Sequence, residues 1–249
     1  MIVSTSGPEA ADGSRSVPPA VSVVVPAYQA ASTLRELCAR LVAALDDAGL
    51  THELLLVDDG SDDGTWALIS ELAAAGSSVV GVRLARNFGQ SAAWCAGIER
   101  ASAAVVATID ADLDTYPEDL PLLVAAVLDG AGVANGARQG RHWKRGFPSR
   151  LFNHRARRLG ITSTDTGCGM VAMEATVARE VLHHGDLRRS YRFKALLESL
   201  TDRVVEVPVR AGPPSRSSHR MADLLSAGLE LELAHRRTVF LGASAGGAA

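Results

Sequence analysis

The sequence predicts an α/β fold, a mostly parallel sheet with helices on both faces, and three observations predict it. Between Val21 and Asp114 a short apolar run is followed by a polar turn and then by a helical stretch, again and again. The runs are rich in β-branched residues and apolar throughout, as strands covered on both faces are. The acids and arginines fall in the turns, so a ligand site is expected at the carboxyl ends of the strands.

Val21 to Val25 is the first strand, stopped by Pro26. Ser32 then caps a helix with apolar positions Leu34, Leu37, Cys38, Leu41, Val42 and Leu45. Glu53 to Val57 is the second strand, ending in Asp58-Asp59-Gly60-Ser61-Asp62-Asp63-Gly64, and a helix follows from Thr65 to Ala75. The third strand, Val79 to Leu84, leads through Arg86-Asn87-Phe88-Gly89 into a helix that reaches Ala101. The fourth, with Val105, Val106 and Ile109, delivers Asp110, Asp112 and Asp114, which alternate spacing throws to one side while the segment stays extended. Three carboxylates repel unless a cation sits between them, and a hard divalent ion, Mg²⁺ or Mn²⁺, carrying phosphate ligands of its own suits them. An EF-hand is excluded, because Thr115 stands where its glycine is needed and Pro121 where its glutamate is needed. Pro117, Glu118 and Asp119 open a helix to Leu128; Gly132 to Ala137 and Val204 to Val209 read as strands, and Met221 to Arg237 as a last helix.

With 249 residues and 47% hydrophobic content, one domain over residues 20–212 is expected. Residues 1–19, rich in Ser, Pro, Gly and Ala, read as a disordered leader. Residues 213–241 read as a mobile loop and C-terminal helix, and 242–249 as a disordered tail. A formal charge of −3 excludes a generally basic nucleic-acid binder. Cys38, Cys95 and Cys168 are scattered and lack metal spacing, which predicts reduced thiols in a cytoplasmic protein. No apolar run reaches the roughly eighteen residues of a membrane span. The leucines of the last helix followed by His235-Arg236-Arg237 suit either core packing or peripheral contact with the cytoplasmic membrane face. The turn Pro26-Ala27-Tyr28-Gln29-Ala30 holds no glycine, so a dinucleotide fingerprint is absent, as is a Walker A motif.

Pro26-Ala27-Tyr28, Val57-Asp58-Asp59-Gly60-Ser61-x-Asp63-Gly64-Thr65, Arg86-Asn87-Phe88-Gly89 and Asp110-Ala111-Asp112-Leu113, in this order, resemble the family 2 inverting glycosyltransferases of GT-A fold. Within them the likeness is to the polyprenyl-phosphate (dolichol-phosphate) mannosyl- and glucosyltransferases, over roughly residues 20–175. The resemblance implies a nucleotide-sugar donor, a GDP- or UDP-sugar. Asp58 then contacts base or ribose, helped by the turn of Pro26 and Tyr28, with Asp59 and Arg86 in the same site, and Asp110 and Asp112 hold metal and diphosphate. Asp114 stands where that branch usually has glutamine and supplies another oxygen.

From Arg138 to Arg158 there are eight Lys or Arg residues and no acid. Arg138 and Arg141 match the family's R-x-x-R, which faces an anionic part of acceptor or donor, and arginine forks suit phosphate oxygens. Arg150 with Asn153 or His154 extends that stretch. Asp165-Thr166-Gly167-Cys168-Gly169 resembles the family's turn under the acceptor, with Val171 where a basic residue is usual, and Ser218-His219-Arg220 replaces Ser-Lys-Tyr. Alcohol-acceptor members carry a Glu-Asp pair after this turn, and here His183-His184-Gly185-Asp186 stands instead. A phosphate monoester is already ionised and needs positioning by cations where a hydroxyl needs a base. The expected function is therefore transfer of sugar to a polyprenyl phosphate, with Asp112, Arg138 and Arg141 in the catalytic set and Asp186 as the fallback base. Two alternatives stay open: a soluble enzyme with a small-molecule or natural-product acceptor, and a non-catalytic nucleotide-sugar-binding module that recruits a membrane partner.

Overall fold

The computed structural model describes residues 2–6, 18–76, 78–139, 163–165, 167–183 and 190–213. The chain runs β1 (Ile2–Ser6), β2 (Val21–Ala27), α1 (Leu34–Asp47), β3 (His52–Asp58), α2 (Thr65–Ala75), β4 (Val79–Leu84), α3 (Gln90–Ile98) and β5 (Val105–Thr108). A short 3₁₀ turn, Pro117–Asp119, then leads to α4 (Leu120–Leu128), β6 (Val133–Gln139), β7 (Val171–Glu174), α5 (Ala175–His183), α6 (Ser190–Ser199) and β8 (Val204–Arg210). One sheet holds the strands in the order β1-β4-β3-β2-β5-β7-β6-β8. Only β1 and β7 run against the rest, so the sheet is mostly parallel, as expected.

The alternation of side chains along β2 divides the core in two. Val21, Val23 and Val25 pack with Leu34, Leu37 and Leu41 of α1, Ile69 of α2 and Leu123 of α4. Val24 points the other way, to Trp94 of α3, Val181 of α5 and Phe193 of α6. Helices therefore cover both faces, which is why β2, β3 and β5 are apolar almost without interruption. The strand order reverses beside β2: β3 and β4 lie on one side and β5 on the other. Such a reversal is where an open α/β sheet has its ligand crevice, which here falls at the carboxyl ends of β2 and β5.

Several expectations need correction. Ile2–Ser6, read as part of a disordered leader, is an edge strand paired antiparallel to β4, since its β-branched residues complete a ladder that β4 would otherwise leave open. Pro26 does not stop β2, which continues to Ala27 in register with Asp58. The Val24 carbonyl accepts from Ile109 N–H, so even-numbered positions face β5, and pairing with β5 has already ended at Val24 where Pro26 lacks its donor. Thr33, not Ser32, is the N-cap of α1, and it makes no side-chain cap bond. Strand β7 and helices α5 and α6 were not anticipated. No helix among the described residues is long and apolar enough to cross a membrane.

Candidate active site at the ends of β2, β3 and β5

Three turns meet at the crevice, and backbone donors lace them together. Ala27 and Asp58 end β2 and β3 side by side. Asp58 is fully buried, and its Oδ1 accepts from Ser61 N–H at 2.9 Å while Oδ2 lies 3.3 Å from Arg83 Nε. Asp59 is also buried and accepts from the amides of Phe88 and Gly89, each at 2.8 Å. Burial pushes the Asp59 carboxyl up from its ordinary value, against the pull of those two amides. Gly60 (φ +74°) lets the next turn close over it, because a Cβ there would overlap the backbone of Arg86 and Asn87. The Asp63 carboxylate accepts from Ala31 N–H at 3.1 Å and Thr65 N–H at 3.0 Å, and Gln29 N–H donates to Ser61 Oγ at 3.0 Å.

These bonds sort the expected nucleotide residues by role. Asp58 ends β3 with its carboxylate buried between Ser61 N–H and Arg83; Asp59 holds the Phe88–Gly89 turn, and Pro26 is buried backbone support. Tyr28 is 51% exposed at the lip, and Arg86 is exposed with its guanidinium 4.8 Å over the Phe88 ring. Arg83, which nothing in the sequence singled out, joins Asp58 and lies 5.6 Å over the Trp66 ring.

The acidic loop departs from its expected extended form. β5 ends at Thr108, the chain turns at Ala111-Asp112, and Leu113 takes a positive φ of 58°. The three carboxylates therefore do not project to one side. Asp110 accepts from Gln90 Nε2, and burial first, then the charge of Asp112, pushes it up to about 7, opposed by Lys194 and Arg138. Asp112 accepts from Asp114 N–H at 3.0 Å. Asp114 is turned to Arg138, whose Nη1 it binds. Thr33 Oγ1 donates to the Ala111 carbonyl at 2.6 Å, which fastens the start of α1 to this loop.

Arg138, expected to meet an anionic ligand, is a strut between two acids. Its Nε and Nη2 fork onto Asp165 at 2.7 and 2.9 Å, and Nη1 reaches Asp114. Burial works against ionisation of both Arg138 and Asp165. The fork outweighs it, raising the arginine and holding the Asp165 carboxyl below the usual range. The turn after Asp165 lies on the acidic loop: a Cβ on Gly169 would overlap the Asp110 carboxylate, and the Gly169 carbonyl accepts from Thr108 Oγ1 at 2.9 Å. From the far edge of the sheet, Gly212 N–H donates to the Asp114 carbonyl at 2.8 Å. His183, on α5, is exposed and 3.9 Å from Glu180. Arg141, Arg150, His184, Asp186, Ser218-His219-Arg220 and the helix expected over Met221 to Arg237 lie outside the described residues.

Among the described residues no three His, Cys, Asp or Glu side chains stand as a ready metal cage. The site still fits a hard divalent cation. Asp110 and Asp112 bring carboxylate oxygens to the carboxyl end of β5, and the missing Cβ of Gly169 is what lets the Asp110 carboxylate lie against that turn. An ion that keeps several waters and takes oxygens from a diphosphate needs only one or two carboxylates.

The chain matches the model of Glycosyl transferase family 2 over residues 22–195. It is 40% identical, over 194 residues, to an undecaprenyl-phosphate 4-deoxy-4-formamido-L-arabinose transferase of Edwardsiella ictaluri, a match covering 76% of this chain and 59% of that protein. It is 41% identical over 166 residues to the protein of the same name from Pseudomonas fluorescens, covering 65% of this chain and 49% of the other. The chain thus spans about half to three-fifths of the length of these curated relatives. Among solved structures it is similar to mannosyl-3-phosphoglycerate synthase from Rubrobacter xylanophilus, with a TM-score of 0.63 and 17% identity over 89% of this chain and 74% of that one. A mannosyltransferase from Pyrobaculum calidifontis in complex with GDP-Man and Mn²⁺ gives a TM-score of 0.56 and 17% identity, covering 94% and 77%. At such identities the likeness is one of fold, and the fold is the GT-A arrangement expected from the motifs.

Proposed function

The chain belongs to glycosyl transferase family 2, and on that premise we propose that it moves a sugar, with inversion, from a nucleotide-diphosphate sugar to a polyprenyl phosphate. The observation that supports the reading is that Asp58 ends β3 while Asp110 and Asp112 follow β5, so both stand at the carboxyl ends of the two strands that flank β2, where the strand order reverses. Asp58 suits the ribose or base, with Tyr28 and Arg86 at the lip. Asp110 and Asp112 suit a divalent cation, Mg²⁺ or Mn²⁺, whose chemistry is to neutralise charge on the departing diphosphate. The chain's own contribution is to hold that loop in place through Thr33, Gln90 and the Asp165 turn.

The names of the relatives support undecaprenyl phosphate as the class of acceptor. A phosphate nucleophile arrives ionised, so the acceptor side needs cations and not a base. The basic stretch from Arg138 to Arg158 begins near the end of β6 and suits that task, as it suits a peripheral contact with anionic headgroups. The test is release of nucleoside diphosphate from GDP- and UDP-sugars with Mg²⁺ or Mn²⁺, in the presence of a short prenyl phosphate, the matching prenyl alcohol, or neither. The phosphate alone should accelerate release. Equal acceleration by the alcohol would favour a small-molecule acceptor, and nucleotide binding without release under any condition would favour a binding module.

A further inference from the structure

Lys194 is one of only two lysines in the chain, the other being Lys144, among 25 Lys and Arg residues. It lies on α6 and is 3% exposed, with Nζ donating to the Asp165 carbonyl at 3.2 Å. Among the described residues its ammonium closes no ion pair with a carboxylate. An ammonium withdrawn from water on these terms is costly, and the compact, strongly hydrated head of lysine makes it more so than a guanidinium would be.

Its surroundings show where that charge acts. Asp165 is gripped by the Arg138 fork, Arg138 reaches Asp114, and Gly169, four residues beyond Asp165, lies against the Asp110 carboxylate. One turn therefore ties Lys194 to both ends of the Asp110–Asp114 loop. The lysine charge acts on Asp110 and Asp165 alike. Glu198, one helical turn on, faces elsewhere, accepting from Asn135 Nδ2 at 3.1 Å and Ser163 N–H at 3.4 Å.

We propose that Lys194 is a positioning residue of the site: its buried ammonium, fixed on the Asp165 carbonyl, is the standing positive charge that sets how strongly the Asp110–Asp114 loop takes up a divalent cation and a diphosphate. The inference rests on the reading of that loop as the cation and diphosphate site. A standing cation there makes four neighbouring acids compatible before any metal arrives. It also weakens the hold on a bare dication and strengthens the hold on a dianionic diphosphate, two effects of opposite sign.

The test uses the 249-residue chain and Lys194→Met, which keeps the stem and removes the charge. Binding of Mn²⁺ alone is read by electron paramagnetic resonance, and binding of GDP and UDP to the Mn²⁺-loaded protein by calorimetry. The variant should bind Mn²⁺ about threefold to tenfold more tightly, and the nucleoside diphosphates at least about threefold more weakly. A purely structural role would weaken both together. Where the variant melts early and loses both, the wild type decides: with lysine-specific ¹⁵N labelling, Mn²⁺ should broaden the Lys194 signal strongly, and an unbroadened signal overturns the proposal. Wild-type protein that binds no Mn²⁺ overturns the underlying reading as well, whereas wild-type binding that Lys194→Met leaves unchanged overturns this inference alone.

Discussion

The two sides of the crevice are held by different chemistry. On the β2–β4 side, carboxylates accept mainly from backbone amides, Asp58 from Ser61, Asp59 from Phe88 and Gly89, and Asp63 from Ala31 and Thr65, with Arg83 adding an ion pair to Asp58. On the β6–β8 side, side chains grip side chains: Arg138 with Asp165 and Asp114, and Arg210 with Asp119. An amide is fixed by its strand or helix and has no rotamer to change. A guanidinium can leave one carboxylate for another anion. Under the proposed function, the first side would hold one shape, as a nucleotide site requires, and the second would exchange partners, as an anionic acceptor and a metal require.

The largest expected effect is at the junction of the two sides. Asp112→Asn keeps the shape and removes a charge from the cation site, so transfer should fall at least about a hundredfold, several kcal/mol of lost charge stabilisation. The melting temperature should stay near that of the wild type. Full turnover in excess chelator would remove the cation from the account. Next comes Asp59→Ala, which strands the half-buried amides of Phe88 and Gly89. Unfolding by urea should show a loss of about 3 kcal/mol, and a loss below about 1 kcal/mol would mean the turn stands without its carboxylate.

These roles were unequally legible. The first side is written locally: apolar runs give the strands, and acids beside Gly60 and Gly64 give the turns, so β2 to β5 were anticipated nearly to their boundaries. β7 has four residues, and its pairing with β5 and β6 is settled by partners far along the chain. β1 is likewise an edge strand made by β4. Asp110, Asp112 and Asp114 stand out by their spacing, but their directions do not follow from it, because Leu113 leaves the extended region and Arg138, 24 residues on, claims Asp114. Lys194 carries no motif; it is buried beside Phe193, which packs on Trp94 of α3.

A smaller effect separates the grips themselves. Asp58 is expected to contribute to nucleotide affinity in the ground state, so Asp58→Ala should raise the nucleotide dissociation constant by about tenfold while changing the rate of the bound complex less. Calorimetry showing an unchanged constant would take Asp58 out of the site. Its side of the crevice would then be support alone, and the contrast between the two sides would lose its functional meaning.

The smallest expected effect is the one that tests whether the second side exchanges partners. Arg138→Lys keeps the charge but cannot fork onto Asp165 while reaching Asp114, since an ammonium is a point charge on a single stem. If the arginine works only as a strut, its loss should act on the acidic loop, and Mn²⁺ binding and donor hydrolysis should change for every acceptor alike. If Arg138 passes from Asp114 to an incoming phosphate once the cation has taken up the loop, the deficit should appear in the affinity for a prenyl phosphate. That deficit should be about threefold to tenfold, the order of one charge-assisted bond made less well, and donor hydrolysis without acceptor should change by less than about twofold. Steady-state constants for a short prenyl phosphate, set beside acceptor-free hydrolysis in the same variant, separate the two. A uniform loss would assign Arg138 to the scaffold, and the work of meeting the acceptor would fall to the remaining cations between Arg141 and Arg158.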